Sequence, residues 1–154
     1  MILKDISQYS EERWMSFMSK IKVIPCSGIG KVFGLMSRET VLEVTNNLSH
    51  DISETVCLAH LVTGDDDAKE KVKGQICITV DGCPALCAAK SVELAGGILK
   101  EKYRVIDEMR NHKGKNAGTG TTLTDDGWLI IDEFAIKISK KVKELAEEEQ
   151  NNVK

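Results

Sequence analysis

The chain has 154 residues, 42% hydrophobic and 29% charged, with a formal net charge of -3 from 21 Lys plus Arg against 24 Asp plus Glu. A globular chain of this size buries roughly 70% of the surface its unfolded form exposes, so neither metal nor disulfide is required merely to keep it folded. Its slight acidity and 5% aromatic content argue against nucleic acid or an anionic membrane as partner.

No stretch reaches the roughly 20 apolar residues that span a bilayer. Lys4, Asp5 and Glu11 fall where a secretory signal needs its apolar core, so a cytoplasmic location is expected. We expect a single domain over residues 1–154.

Residues 9–20, YSEERWMSFMSK, place Trp14, Phe17 and Met18 at helical spacing and predict a short amphipathic lead-in helix with Ser10 as N-cap. IKVIPCSGIG (21–30) reads as a buried strand running into a glycine turn. KVFGLMSRETVLEVTNN follows as a helix with a Val32, Leu35, Met36 and Leu42 stripe. ETVCLAHLVTG (54–64) fits a short strand or a helical turn. DDDAKEKVKG reads as a polar helix whose Asp65, Asp66 and Asp67 favour the helix dipole and whose end is Gly74.

QICITVDG carries the strongest strand signal, rich in Ile, Val and Thr. PALCAAKSVELAGG is predicted as a helix with Pro84 in its first turn and Gly96-Gly97 at its end. KYRVIDEM (102–109) is a further strand. Residues 111–127, with four glycines and no apolar period, form a long loop or lid, and loops above about 12–15 residues are usually functional or disordered. Thr119, Thr121 and Thr122 could line a phosphate or substrate there, although a mobile loop is the plainer reading. A C-terminal helix over about 131–148 carries Phe134, Ile138, Val142 and Leu145.

Alternating strands and helices imply a three-layer α/β fold, a mostly parallel sheet with helices on both faces, Rossmann-like or flavodoxin-like. Ligands of such folds sit beyond the carboxyl ends of the strands. The turns holding Cys26 and Cys83 fall there.

The five cysteines are Cys26, Cys57, Cys77, Cys83 and Cys87. An odd number suits a disulfide framework poorly, and clustered cytoplasmic thiols lean toward metal or catalysis. Cys83 and Cys87 are four apart, one turn if helical. Cys26 occupies the equivalent turn after the first strand, and Cys57 could supply a fourth thiolate. Four thiolates make a closed tetrahedral Zn²⁺ site, whose negative charge helix N-termini and Lys31 or Lys90 would offset. Cys77 lies mid-strand and is expected to be a small buried hydrophobe. The bland alternative is that the others are core too, since free cysteines are commonly buried. His60 is more often a surface group than a ligand at such a position.

VIPCSGIGKVFG, then TVCLAHLVTG, then ITVDGCPALCAAKSVELAGG resemble the DGC domain family, proteins thought to bind zinc and named for the Asp-Gly-Cys motif. The resemblance runs over about residues 22–97 and fades after 110. It implies four zinc-binding cysteines, here Cys26, Cys57, Cys83 and Cys87, and brings no established reaction.

Rival chemistries fit less well. Gly28, Gly30 and Gly34 are spaced one residue too long for a dinucleotide fingerprint and read better as a tight turn needing small residues. An anion at that helix N-terminus is compatible. A cysteine phosphatase needs an Arg six residues past its nucleophile, where Val32 and Ala89 stand. A redox pair prefers C-x-x-C to Cys83-x₃-Cys87, and an iron–sulfur cluster ranks behind zinc.

Asp81 could accept hydrogen bonds behind the cysteines or act as a base, but it reads more plainly as a turn former before Gly82. The expected partners are a metal ion and a small or anionic ligand under the 111–127 loop. A thiol-dependent enzyme or sulfur carrier using Cys26 or Cys83 as nucleophile is the alternative.

Overall fold

A computed structural model describes residues 19–28 and 30–152. Four strands, β1 (Ile21–Pro25), β2 (Ser53–Glu54), β3 (Ile76–Asp81) and β4 (Ile98–Arg104), form one sheet in the order β2-β1-β3-β4. Every pairing is parallel. The helices are α1 (Val32–Glu43), α2 (Leu58–Thr63), α3 (Asp66–Val72), α4 (Cys87–Leu94), α5 (Val105–Asn111) and α6 (Asp125–Asn152).

Alternation along the strands sorts the side chains into two cores. Ile21, Val23, Ile78 and Val80 face α1, α5 and α6, where Met36, Val41, Phe134, Ile138 and Val142 join them. Ile24 and Cys77 face α2, α3 and α4, with Leu61, Val72, Ala88 and Val92. The sheet is thus covered on both faces, as the three-layer α/β expectation requires. Each fully buried Ile or Phe contributes roughly 1.5–3 kcal/mol of transfer free energy.

Several boundaries differ from the pattern. The helix expected from Pro84 begins at Cys87, because residues 82–86 form a bend and turn whose Leu86 sits left-handed at φ 54°. The last strand runs over 98–104, ahead of the expected 102–109, and Val105 already opens α5. Asp107 and Glu108 suit that helix's first turn. The ambiguous segment 54–64 holds both structures, a two-residue β2 and α2.

The last helix starts at Asp125, because the Thr124 hydroxyl accepts from the Gly127 N–H at 3.1 Å and serves as N-cap. The loop before it is correspondingly shorter. The helix begun at Val32 widens into a π-helical stretch over Val44–Leu48, with the Thr45 hydroxyl donating back to the Val41 carbonyl at 2.9 Å. Asp65 caps α3 through the Ala68 N–H at 2.9 Å. Trp14, Phe17 and Met18 lie outside the described residues. No described helix is long and apolar enough to cross a membrane.

Candidate functional site

The strand order sets three chain turns side by side at the carboxyl edge of the sheet. Cys26 follows β1 directly, its N–H donating to the Val80 carbonyl at 2.8 Å. Cys83 stands two residues past β3, and Cys87 opens α4. Cys57 stands three residues past β2 as the N-cap residue of α2, which packs against α4. All four are free thiols: Cys57 and Cys87 are exposed, Cys26 and Cys83 half-buried. Cys77 points into the second core, fully buried, and desolvation pushes its thiol up to about 11.

Cys26 and Cys83 line one cavity of about 290 Å³ with Gly28, Lys31, Phe33 and Gly82. The α1 N-terminus opens beside it with no side-chain cap and no acidic residue in its first turn. Burial pushes the Cys26 thiol up, and the nearby charges of Asp81 and Cys87 add to that push. The backbone N–H groups of Gly82 and Gly28 act in the opposite sense, favouring the thiolate.

Cys57 faces elsewhere, into a neighbouring cavity of about 330 Å³ shared with His60, Asp65 and Lys71. His60 Nδ1 lies 4.0 Å from the Asp65 carboxylate. Among the described residues no three His, Cys, Asp or Glu side chains converge closely enough to hold a metal ion. The fold therefore brings the four thiols to one edge but not into one cage.

The glycines around Cys26 are there for space. A Cβ on Gly34 would collide with the Gly28 carbonyl oxygen and come within 2.7 Å of its nitrogen, so turn and helix touch backbone to backbone. A Cβ on Gly82 would lie 3.0 Å from the Phe33 carbonyl carbon. These contacts are the tight packing that the glycine spacing suggests.

The Gly/Thr loop also reaches this corner, since a Cβ on Gly120 would come within 2.6 Å of the Gly30 carbonyl carbon. The loop is tied, not slack. The Thr119 N–H donates to the Thr122 carbonyl at 2.8 Å, the Thr119 hydroxyl accepts from the Thr122 N–H at 3.1 Å, and Lys115 pairs with Asp126 at 2.8 Å.

Asp81 does more than form a turn. Its carboxylate is buried, with Oδ1 accepting from the Ala88 N–H at 2.8 Å and Oδ2 from the Ala89 N–H at 3.2 Å. It is a remote cap for α4, spanning the connection from β3. Burial raises its pKa, and the two N–H bonds and Lys90 oppose the rise. The sequence holds a signal for this: residues 82–90 contain no Ser, Thr, Asp or Asn to cap the helix. The upstream carboxylate of Asp81 fills that role.

A DGC domain family model matches residues 22–153, well past the point where the motif resemblance fades, so the Gly/Thr loop and α6 belong to the same unit of descent as the cysteine turns. No curated protein and no solved structure matches the chain. With its motif cysteines ranged along one sheet edge and the match spanning nearly its whole length, the chain belongs to the DGC domain family.

Proposed function

We propose that the protein binds one Zn²⁺ through Cys26, Cys57, Cys83 and Cys87. The observation that carries this reading is the strand order, which lines up the three turns bearing these thiols while the fifth cysteine is sealed in the core. Four free thiols are the donor chemistry a thiophilic divalent ion selects. The side chains do not yet converge, so closing the site requires Cys57 and Cys87, the two exposed members, to turn inward. When bound, zinc would hold these thiols as thiolates at neutral pH. The loop seated on Gly30 would border any small or anionic ligand drawn to the Cys26–Cys83 cavity.

Metal analysis of protein purified without added metal tests this. About one equivalent of zinc, lost in Cys83→Ser and in Cys57→Ser, supports a four-thiolate site. Zinc retained in Cys57→Ser would remove Cys57 from the site.

A second reading has its own support. Cys26 and Cys83 share a cavity beside an uncapped helix N-terminus, the setting of a thiol nucleophile. Metal-free protein in which Cys26 or Cys83 titrates below the ordinary thiol range would favour it over zinc binding. Charge-transfer absorbance in the visible range would point to an iron–sulfur cluster.

A further inference from the structure

Asp81 holds the only buried carboxylate among the described residues. It lies at the end of β3, and its partners lie seven and eight residues on, across a connection that makes few bonds of its own. Within that connection Leu86 is the sole non-glycine residue of positive φ among the described residues, at 54°. A leucine avoids this region unless the chain on either side dictates it. Here β3 fixes one side and the Asp81 carboxylate, gripping the second and third residues of α4, fixes the other.

We propose that Asp81 is the positioning residue of the thiol site, setting where Cys87 stands relative to Cys83 and Cys26. The inference rests on the reading that these thiols bind metal. Three consecutive residues then divide the task. Asp81 anchors the helix that begins at Cys87, Gly82 packs against α1 and turns its N–H toward Cys26, and Cys83 lines the cavity. Both carboxylate oxygens are engaged, so an amide in this position can accept only one of the two N–H bonds.

The test compares wild type, Asp81→Asn, Asp81→Ala and Val142→Ala, the last a core variant on the opposite face of the sheet. Zinc affinity is measured by competition with a chromophoric chelator, well below each melting temperature. The expected result is a ten- to hundredfold loss of affinity in Asp81→Asn, the usual range for a residue that orients a metal ligand. Val142→Ala should keep wild-type affinity even with a lowered melting temperature. Equal losses in Asp81→Asn and Val142→Ala, or none in Asp81→Asn, overturn the proposal.

Wild type that takes up no zinc would sink the metal reading alone. Positioning is then read in metal-free protein from the alkylation rate of Cys87 relative to Cys57. Asp81→Asn should change that ratio severalfold, as should Asp81→Ala if it folds. An unchanged ratio in Asp81→Asn overturns the role.

Discussion

The two strand-to-helix turns that carry the thiols perform the same topological task by different physics. Between β1 and α1 the chain is held by contact of backbone on backbone, with Gly34 set against Gly28, and Gly82 of the neighbouring turn against Phe33, where an added Cβ would crowd the main chain, and with no side-chain cap on the helix. Between β3 and α4 the connection is looser, passes through a left-handed leucine, and is secured by one buried carboxylate. The first turn depends on volume and the second on charge and hydrogen bonding. A site built on both has one rigid wall and one that a single side chain can release.

The contrast is sharpest at Gly34. On an open helix surface Gly→Ala stabilises by about 1 kcal/mol. Gly34→Ala should instead destabilise by about 3 kcal/mol, as overpacking does, because the new methyl would sit against Gly28. Calorimetric melting decides this, and a stabilised variant would break the distinction between the turns.

Asp81→Ala should cost about 2 kcal/mol in denaturant unfolding, since two buried N–H groups lose their acceptor. pH then separates the turns further. The folded-state pKa of Asp81 lies above the ordinary 3.8. Its contribution to stability is therefore fully present below about pH 3.8 and falls as pH rises through the folded value. The stability gap between wild type and Asp81→Asn should widen on acidification from pH 7 toward pH 4, whereas that of Gly34→Ala should not change. Parallel curves for the two variants would refute the assignment.

The smallest effect concerns Leu86. Leu86→Gly removes left-handed strain and should stabilise by about 0.5 kcal/mol, after the entropy and lost apolar contact are set against the gain. A loss above about 1 kcal/mol would show that the leucine is held by packing. Thiol labelling complements these measurements. In metal-free protein Cys57 and Cys87 should react first and Cys26 and Cys83 more slowly. Cys77, buried with its thiol pushed up to about 11, should react last.

Much of this architecture was legible in the residues. Ile21–Ile24 and Ile76–Val80 announce buried parallel strands, and the run of cysteines at strand ends marks the edge that matters. Burial of Cys77 follows from its place within β3. The start of α4 was not legible from helical propensity, because Pro84 and Ala85 suit a helix and the chain nevertheless keeps them outside it. The deciding interaction is the reach of Asp81 to Ala88 and Ala89, which local pattern does not encode.

The 98–104 strand was misplaced for a related reason. Its alternating Lys and Glu residues look like a solvated loop until β3 supplies the hydrogen-bonding partner. Convergence of the four thiols is a matter of side-chain direction across three turns, which spacing does not fix.

The shortness of β2 has a consequence of its own. Cys57 is moored to the sheet by a strand of two residues in register with only Ile21 and Lys22, whereas Cys26 and Cys83 hang from strands paired along their length. Under chelation or oxidation the arm bearing Cys57 would let go first. Hydrogen exchange over residues 53–57 would quicken before any loosening near Val80. The Cys57 end of the proposed site is therefore the one expected to open first.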